Sequence, residues 1–580
     1  MRKNFLFVAI LAISMLNMAE AQTVYFNGLG RAIVTNDNLK GLALDPDSLG
    51  SRPDTANARK GTGGYTLFDL GVNAQPGENL RASAILRVKN EFGGFYGDGS
   101  YLQFRQLRLD GVLNKVVKYE IGDIDLGMTP YTLYNFSEMY HDYEADIFAI
   151  RRSIVQYENF NFGNKWRLQG FNTSTALKFE KGIEKIGINA FATRTRRTNF
   201  MDIPDRLLVG GQVNVVQSKF LKAGFNYVKF FDVVNSVQSP IIKNFDNEVM
   251  TGDFRLAYEF AETVEAALYG EVGRSQYKYD VVNTDEAVAN DDYFYDLGVS
   301  GKYKPLDLKV FASYRYVGAF FSSPSAQTRR IYDFGEPSVF PTVGNNEEFA
   351  RLPIMYDRFT DEQIRNLTIQ SGLMAYLPQY NAITPYGIAT PNRKGLTAGI
   401  SAGGEDKIYS ADVIIDVLSE VSGEGTSTDN NKRNFLGAKG GASLSLNKIV
   451  GFEKNLVLTG GFRYEKVTRV DNAIDFNSLL LDAGITAEII KQFDLMAGYK
   501  RLAANGNEFL SVRDVSNLIV GYQAFQIDSK QDILAIGARY RFSRNTFLSI
   551  QGLWVNYDDN FSKFNNYKIN QAFLSYTMVF

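Results

Sequence analysis

Catalysis needs a nucleophile, an acid–base pair or a metal cage, and this chain of 580 residues offers few of them. It has no Cys, which removes thiol catalysis, zinc–thiolate sites and disulfides. Its one His, His141, stands beside Asp142 in an aromatic, acidic stretch with Tyr140, Tyr143, Glu144 and Asp146. A His–Asp pair can act as an oriented general base, but no fitting nucleophile motif accompanies it. It reads as an ordinary loop histidine. No Gly-x-Ser-x-Gly, phosphate loop or metal-ligand spacing occurs, so the sequence predicts no catalytic residue, no metal and no cofactor.

The remaining charged clusters suggest solvation or anion contact. Arg194, Arg196 and Arg197 crowd the end of one strand-like run, where guanidinium forks suit phosphate geometry. A solvated rim explains them as well. Asp285, Glu286, Asp291, Asp292 and Asp296 could offer oxygen ligands to Ca²⁺, but their spacing fits no known calcium loop. Asp123-Ile124-Asp125 reads as a strand end entering a loop. Lys+Arg total 62 and Asp+Glu 64, a net charge of −2. That balance leaves no basic footprint for nucleic acid. With 45% hydrophobic and 13% aromatic residues the chain is not disordered.

The elements that must carry these residues follow from the pattern. Met1–Ala21 has Arg2 and Lys3, an apolar run from Phe5 to Leu16, and Ala19-Glu20-Ala21. That is the layout of a secretory signal peptide, so the mature protein is expected to span 22–580. Beyond it the dominant period is two. Leu80, Ala82, Ala84, Leu86 and Val88 share one face, with Arg81, Arg87 and Lys89 on the other. The same alternation runs through Val264–Val272, Leu308–Tyr316, Leu479–Ala487, Leu534–Phe542 and Leu574–Phe580. In these runs the apolar face carries no charge. Arg81, Arg87, Lys89, Arg108, Asp110, Asp253, Arg255, Glu271, Arg315, Arg463, Asp482 and Arg539 are the candidates for the polar face. The runs last about 9–13 residues, nearer a tilted bilayer-crossing strand than the usual 5–6. A soluble sandwich would alternate too, with its apolar face inward.

Connections and aromatics separate the two. Short turns (Gln75–Asn79, Asn114-Lys115, Gln217–Lys219, Ala261–Thr263, Lys304–Leu306, Gly403–Asp406, Ile489–Gln492, Ser543–Asn545) alternate with long loops. The long ones include Thr35–Gly63, Gly127–Lys165, Val233–Phe245, Gln276–Asp292, Gly318–Lys394, Ser419–Arg433 and Ala503–Gln531. Tyr258, Phe260, Tyr303, Phe493, Tyr540 and Phe542 flank the short turns. Phe231, Tyr316, Tyr464, Tyr499 and Trp554 sit at the opposite strand ends. Two aromatic bands are expected where a sheet crosses two membrane interfaces.

Signal peptide, alternation, turn lengths and a last strand Asn570–Phe580 ending in Phe together resemble the Gram-negative outer-membrane β-barrel superfamily. The resemblance implies an all-β, single antiparallel barrel of about 22 strands (range 18–24). It also implies contact with outer-membrane lipids and lipopolysaccharide, and recognition by barrel-assembly machinery through the strand ending in Phe580. A lumen that wide needs narrowing. TonB-dependent receptors of similar strand number use an N-terminal plug, but Val24–Leu29 already reads as a strand. The expected constriction is Gly318–Lys394, which holds seven of the 14 prolines and a capping box at Thr360–Gln363 that opens a helix to Met374. An outer-surface loop is the other reading. Two functions remain open: a porin-like channel for passive solute passage, or a non-conducting barrel in an export, adhesion or surface-assembly machine with other envelope proteins.

Overall fold

The computed structural model describes residues 23–41, 59–93, 100–133, 143–159, 168–201, 204–233, 235–238, 245–280, 287–326, 329–331, 347–349, 383–384, 387–404, 407–423, 431–470, 473–513, 519–561, 563 and 566–580. Twenty-two strands form one sheet. The first five are β1 (Thr23–Lys40), β2 (Arg59–Gly77), β3 (Leu80–Glu91), β4 (Ser100–Leu113) and β5 (Val117–Ile124), followed by helix α1 (Asp146–Asn159). Next come β6 (Leu168–Lys178), β7 (Lys185–Arg196), β8 (Arg206–Val216), β9 (Leu221–Asp232), β10 (Phe245–Ala261), β11 (Val264–Asp280), β12 (Ala287–Tyr303) and β13 (Leu308–Val317). The last nine are β14 (Arg393–Gly403), β15 (Tyr409–Ser419), β16 (Arg433–Ser445), β17 (Leu456–Arg469), β18 (Asp475–Ile490), β19 (Phe493–Arg513), β20 (Ile519–Ser543), β21 (Thr546–Asp559) and β22 (Tyr567–Val579).

Each strand pairs antiparallel with its sequence neighbours, and β1 pairs with β22 as well as β2. The seam is fastened by Gly28 N–H donating to Phe580 O at 2.9 Å and Phe580 N–H returning to Gly28 O at 3.1 Å. No strand is left with a free edge along the whole wall, which is the condition for crossing hydrocarbon. Apolar side chains face out: Leu268 is 45% exposed and Ile536 52%. The alternate positions face in and are largely polar, as at Arg31, Asp69, Arg87, Lys89, Glu271 and Arg315. The exposed pairs Tyr258–Phe260 and Tyr540–Phe542 meet edge to face at 4.9 Å beside the short turns. Trp554, Tyr499 and Tyr293 are exposed toward the other end.

The short turns are where the alternation placed them. Asn114 and Lys115 both take positive φ (49° and 60°) in a turn closed by Val116 N–H to Leu113 O, the twist that suits a two-residue hairpin. At the described ends of three expected long loops the ladder continues. β1–β2 pair to Leu39↔Arg59, β11–β12 to Asp280↔Ala287, and β19–β20 to Val512↔Gly521. Above the bilayer no lipid-facing side is required, so the apolar alternation fades while backbone pairing continues. Tyr101–Leu113 is irregular in sequence for another reason. The β3–β4 register shifts between Ile85 and Leu86, and this bulge turns Arg105 inward although Arg108 and Asp110 also face in. The signal peptide, His141, Asp142, Asp285, Glu286 and the expected helix from Thr360 lie outside the described residues.

Candidate functional site

Between β5 and β6, the described residues 125–133 and 143–159 lie against the inner wall. The first stretch starts along β5–β9, where Ile124, Leu133, Leu168, Phe191, Leu208, Val228 and Phe230 form one buried cluster. It then reaches β11 and β12. Thr129 Oγ1 donates to Glu271 Oε1 at 2.5 Å and Tyr131 OH to Asp296 Oδ2 at 2.9 Å. The Tyr131 ring stacks on Phe294 with centroids 3.9 Å apart and meets Phe321 edge-on. Burial pushes the Tyr131 hydroxyl well above its ordinary pKa.

Beyond 134–142 the chain continues on the far arc of the wall, over a row of inward glycines. A Cβ on Gly441 would meet Tyr143 at 2.9 Å, one on Gly484 would meet Ala145 at 2.4 Å, and one on Gly498 would meet Ile147 at 2.7 Å and Phe148 at 3.0 Å. These glycines stand on β16, β18 and β19 and leave a groove into which the start of α1 sinks. Ile147, Phe148, Ile150 and Ile154 bury with Leu480, Met496, Leu502, Ile533 and Leu553 of the wall. Roughly 1.5–3 kcal/mol per buried side chain favours this docking. Glu144 is held by Lys500 Nζ at 2.6 Å and by Arg152. Burial alone would raise its carboxyl, but Lys500 and Arg152 outweigh that and hold it below its ordinary value.

The helix ends in a buried ionic knot. Glu158 accepts from Arg31 Nη1 at 2.9 Å and from Tyr65 OH at 2.7 Å. Arg87 grips Asp69 with two bonds of 2.7 Å and donates Nη1 to the Glu158 carbonyl at 2.8 Å. Tyr157 OH donates to Asp69 Oδ2 at 2.7 Å. The guanidinium carbons of Arg31, Arg87 and Arg105 lie 5.5, 5.6 and 4.2 Å from the Tyr157 ring centre. Midway, Arg151 Nε donates to Gln551 Oε1 at 2.7 Å and lies over Phe573 at 4.2 Å. Each charge in this knot faces an opposite charge or an aromatic face, which burial demands.

The twelve predicted polar-face residues do not form one site. Arg87 and Lys89, each 2% exposed, belong to the knot or its edge; Lys89 lies 4.2 Å over the Tyr65 ring. Asp482 accepts from Ala145 N–H at 3.4 Å, and Arg539 reaches Asp146 at 3.4 Å and Asp494 at 2.8 Å. Glu271 meets the other end of the segment at Thr129, and Arg315 donates to Thr397 Oγ1 of the neighbouring strand at 3.1 Å. Arg81, Asp110 and Arg108 brace the wall with Glu120 (3.1, 3.3 and 2.7 Å). Asp253 accepts from Asn226 at 2.9 Å, Arg255 pairs with Glu265 at 2.8 Å, and Arg463 pairs with Glu465. Arg194 pairs with Asp205 at 3.5 Å and Asp291 with Arg274 at 2.9 Å; among the described residues no metal-holding cluster occurs.

Sequence reasoning placed the lumen segment in Gly318–Lys394. Of that stretch, the described ends lie on the inner wall: Phe321, Ala326 and Ala389 bury with Tyr131 and Phe294, and Ile383 buries with Leu418 and Phe435. A small antiparallel pair, Arg329–Ile331 with Glu347–Phe349, lies between. The largest described lumen contact is made by 125–133 and 143–159, where the sequence pattern marks only a loop. A signal existed. Ile147, Ile150, Ile154 and Tyr157 recur at helical spacing behind Asp146.

A closed antiparallel wall of 22 strands, apolar outside and polar inside, with tight turns at one end, defines a membrane-spanning β-barrel. No family model matches the chain, and no curated protein matches it. Solved structures do. OpdQ of Pseudomonas aeruginosa matches at 10% identity and a TM-score of 0.30, covering 96% of this chain and 98% of that one. A BenF-like porin from Pseudomonas fluorescens Pf-5 matches at 8% and 0.34 (96% and 99%). OccAB2 of Acinetobacter baumannii matches at 10% and 0.34 (96% and 98%).

Proposed function

We infer that this protein is a passive outer-membrane channel whose lumen is narrowed by the segment 125–159, with the ends of 318–394 beside it. One observation carries the reading: a polar-walled barrel too wide to be filled by its own side chains holds an apolar-and-ionic strap against its inner wall. A soluble sandwich has no use for such a strap. In this reading Met1–Ala21 directs export and the strand ending in Phe580 delivers the chain to the assembly machinery. The inward charges, mixed in sign, line the passage.

Flux into liposomes tests it. Reconstituted protein is expected to admit small polar solutes and to slow sharply as solute size rises. Liposomes that stay as tight as protein-free ones would favour the other reading, a barrel that serves as a docking component for envelope proteins.

A further inference from the structure

The outward face changes character where β22, β1 and β2 adjoin. Toward the short turns it is apolar, with Leu574, Val34 and Phe68 exposed to lipid. Toward the loops it turns to Asn36, Asn38, Thr62 and Asn570, and then to three lysines, Lys40, Lys60 and Lys568. Lys568 stands directly opposite Lys40, and Lys60 opposite Asn38 one strand over. All three lysines are exposed.

Their height follows from strand geometry. Lys568 lies 580 − 568 = 12 residues above Phe580. At about 3.3 Å per residue and a tilt near 40°, that is roughly 30 Å of height, just beyond the ~25 Å apolar band. The lysines therefore sit at headgroup level in the outer leaflet. Trp554, exposed and opposite Asn570, marks the same interface.

Their charge is unmatched within the protein. Like charges directly opposite in an antiparallel pair destabilise it. Three other outward cations near this rim have acidic partners: Lys530 with Asp558 at 3.7 Å, Arg501 with Asp532 at 3.8 Å, Arg274 with Asp291 at 2.9 Å. Among the described residues no ion pair or hydrogen bond engages the side chains of Lys40, Lys60 or Lys568. At that height the counter-charge available is the membrane's own. We propose that Lys40, Lys60 and Lys568 bind the phosphate groups of a phosphorylated glycolipid in the outer leaflet. Their ammonium groups act as point charges on phosphate, and the neighbouring Asn and Thr side chains offer hydrogen bonds to its sugar hydroxyls. The proposal stands independently of whether the lumen conducts.

The test uses the full chain in detergent, titrated with bisphosphorylated lipid A and followed by native mass spectrometry. The triple variant Lys40→Gln/Lys60→Gln/Lys568→Gln is expected to bind at least tenfold more weakly than the unmodified protein. The triple Lys→Arg variant should keep binding, and Lys530→Gln should match the unmodified protein. Heat-modifiable gel migration checks that each variant is folded, and Lys568→Gln alone, with a smaller loss, serves if the triple is not. Lipid A stripped of its phosphates should bind the unmodified protein no better than the triple variant. Equal binding by unmodified and triple proteins, indifference to the lipid phosphates, or full competition by inorganic phosphate would overturn the assignment.

Discussion

At the residue scale the account turns on pairs that no local pattern announces. Arg87 and Asp69 are opposite one another across two strands, and both are buried under Tyr157. Replacing Arg87 with Met leaves the Asp69 charge poorly compensated, because Arg105 approaches it only to 3.6 Å. The expected loss is about 3 kcal/mol, the lower end for breaking a buried pair. Converting Asp69 to Asn in the same protein should recover most of it. Thermal unfolding of the purified variants checks this; a double variant no more stable than Arg87→Met would refute the pairing argument. Alternation told which face Arg87, Lys89 and Asp482 occupy. It could not tell that Glu158, Tyr157 and Ala145 would cover them, since those partners lie far along the chain and on no strand. Arg105 escaped for a different reason: the bulge at Ile85/Leu86 breaks the period that would have revealed it.

At the element scale, long apolar-alternating strands were the most legible feature, because lipid on one side and water on the other impose a strict period. Elements free of that constraint were read less well. The outer parts of β19 and β20 continue the ladder where the sequence pattern reads as a loop. The helix α1 is only 14 residues long and is amphipathic toward a barrel wall rather than a core. Its seat also left a trace in sequence, the glycines on β16, β18 and β19. Gly498→Val should therefore act on α1 and not on the barrel. Its Cβ would fall 2.7 Å from Ile147 and 3.0 Å from Phe148, and such overpacking costs roughly 1–3 kcal/mol. The prediction is faster tryptic cleavage at Arg151 and Arg152 with heat-modifiable migration intact. Unchanged cleavage would show that the helix does not depend on the groove.

At the scale of the whole molecule, one physical fact organises the rest. Closure of β22 onto β1 removes the edges, so the polar faces of all 22 strands look onto a shared hollow. The strap from Ile124 to Asn159 makes contact from β5 round to β12 and again from β16 through β22 to β4, which is most of that circumference. In the proposed channel, a segment so placed would set the bore. The measurement that tests this most directly is single-channel conductance in planar bilayers, comparing the unmodified protein with one whose residues 143–159 are replaced by a short Gly-Ser linker. The account predicts discrete, stable steps for the first and steps at least twofold larger for the second. Silence from both proteins, each shown to be folded and inserted, would contradict it.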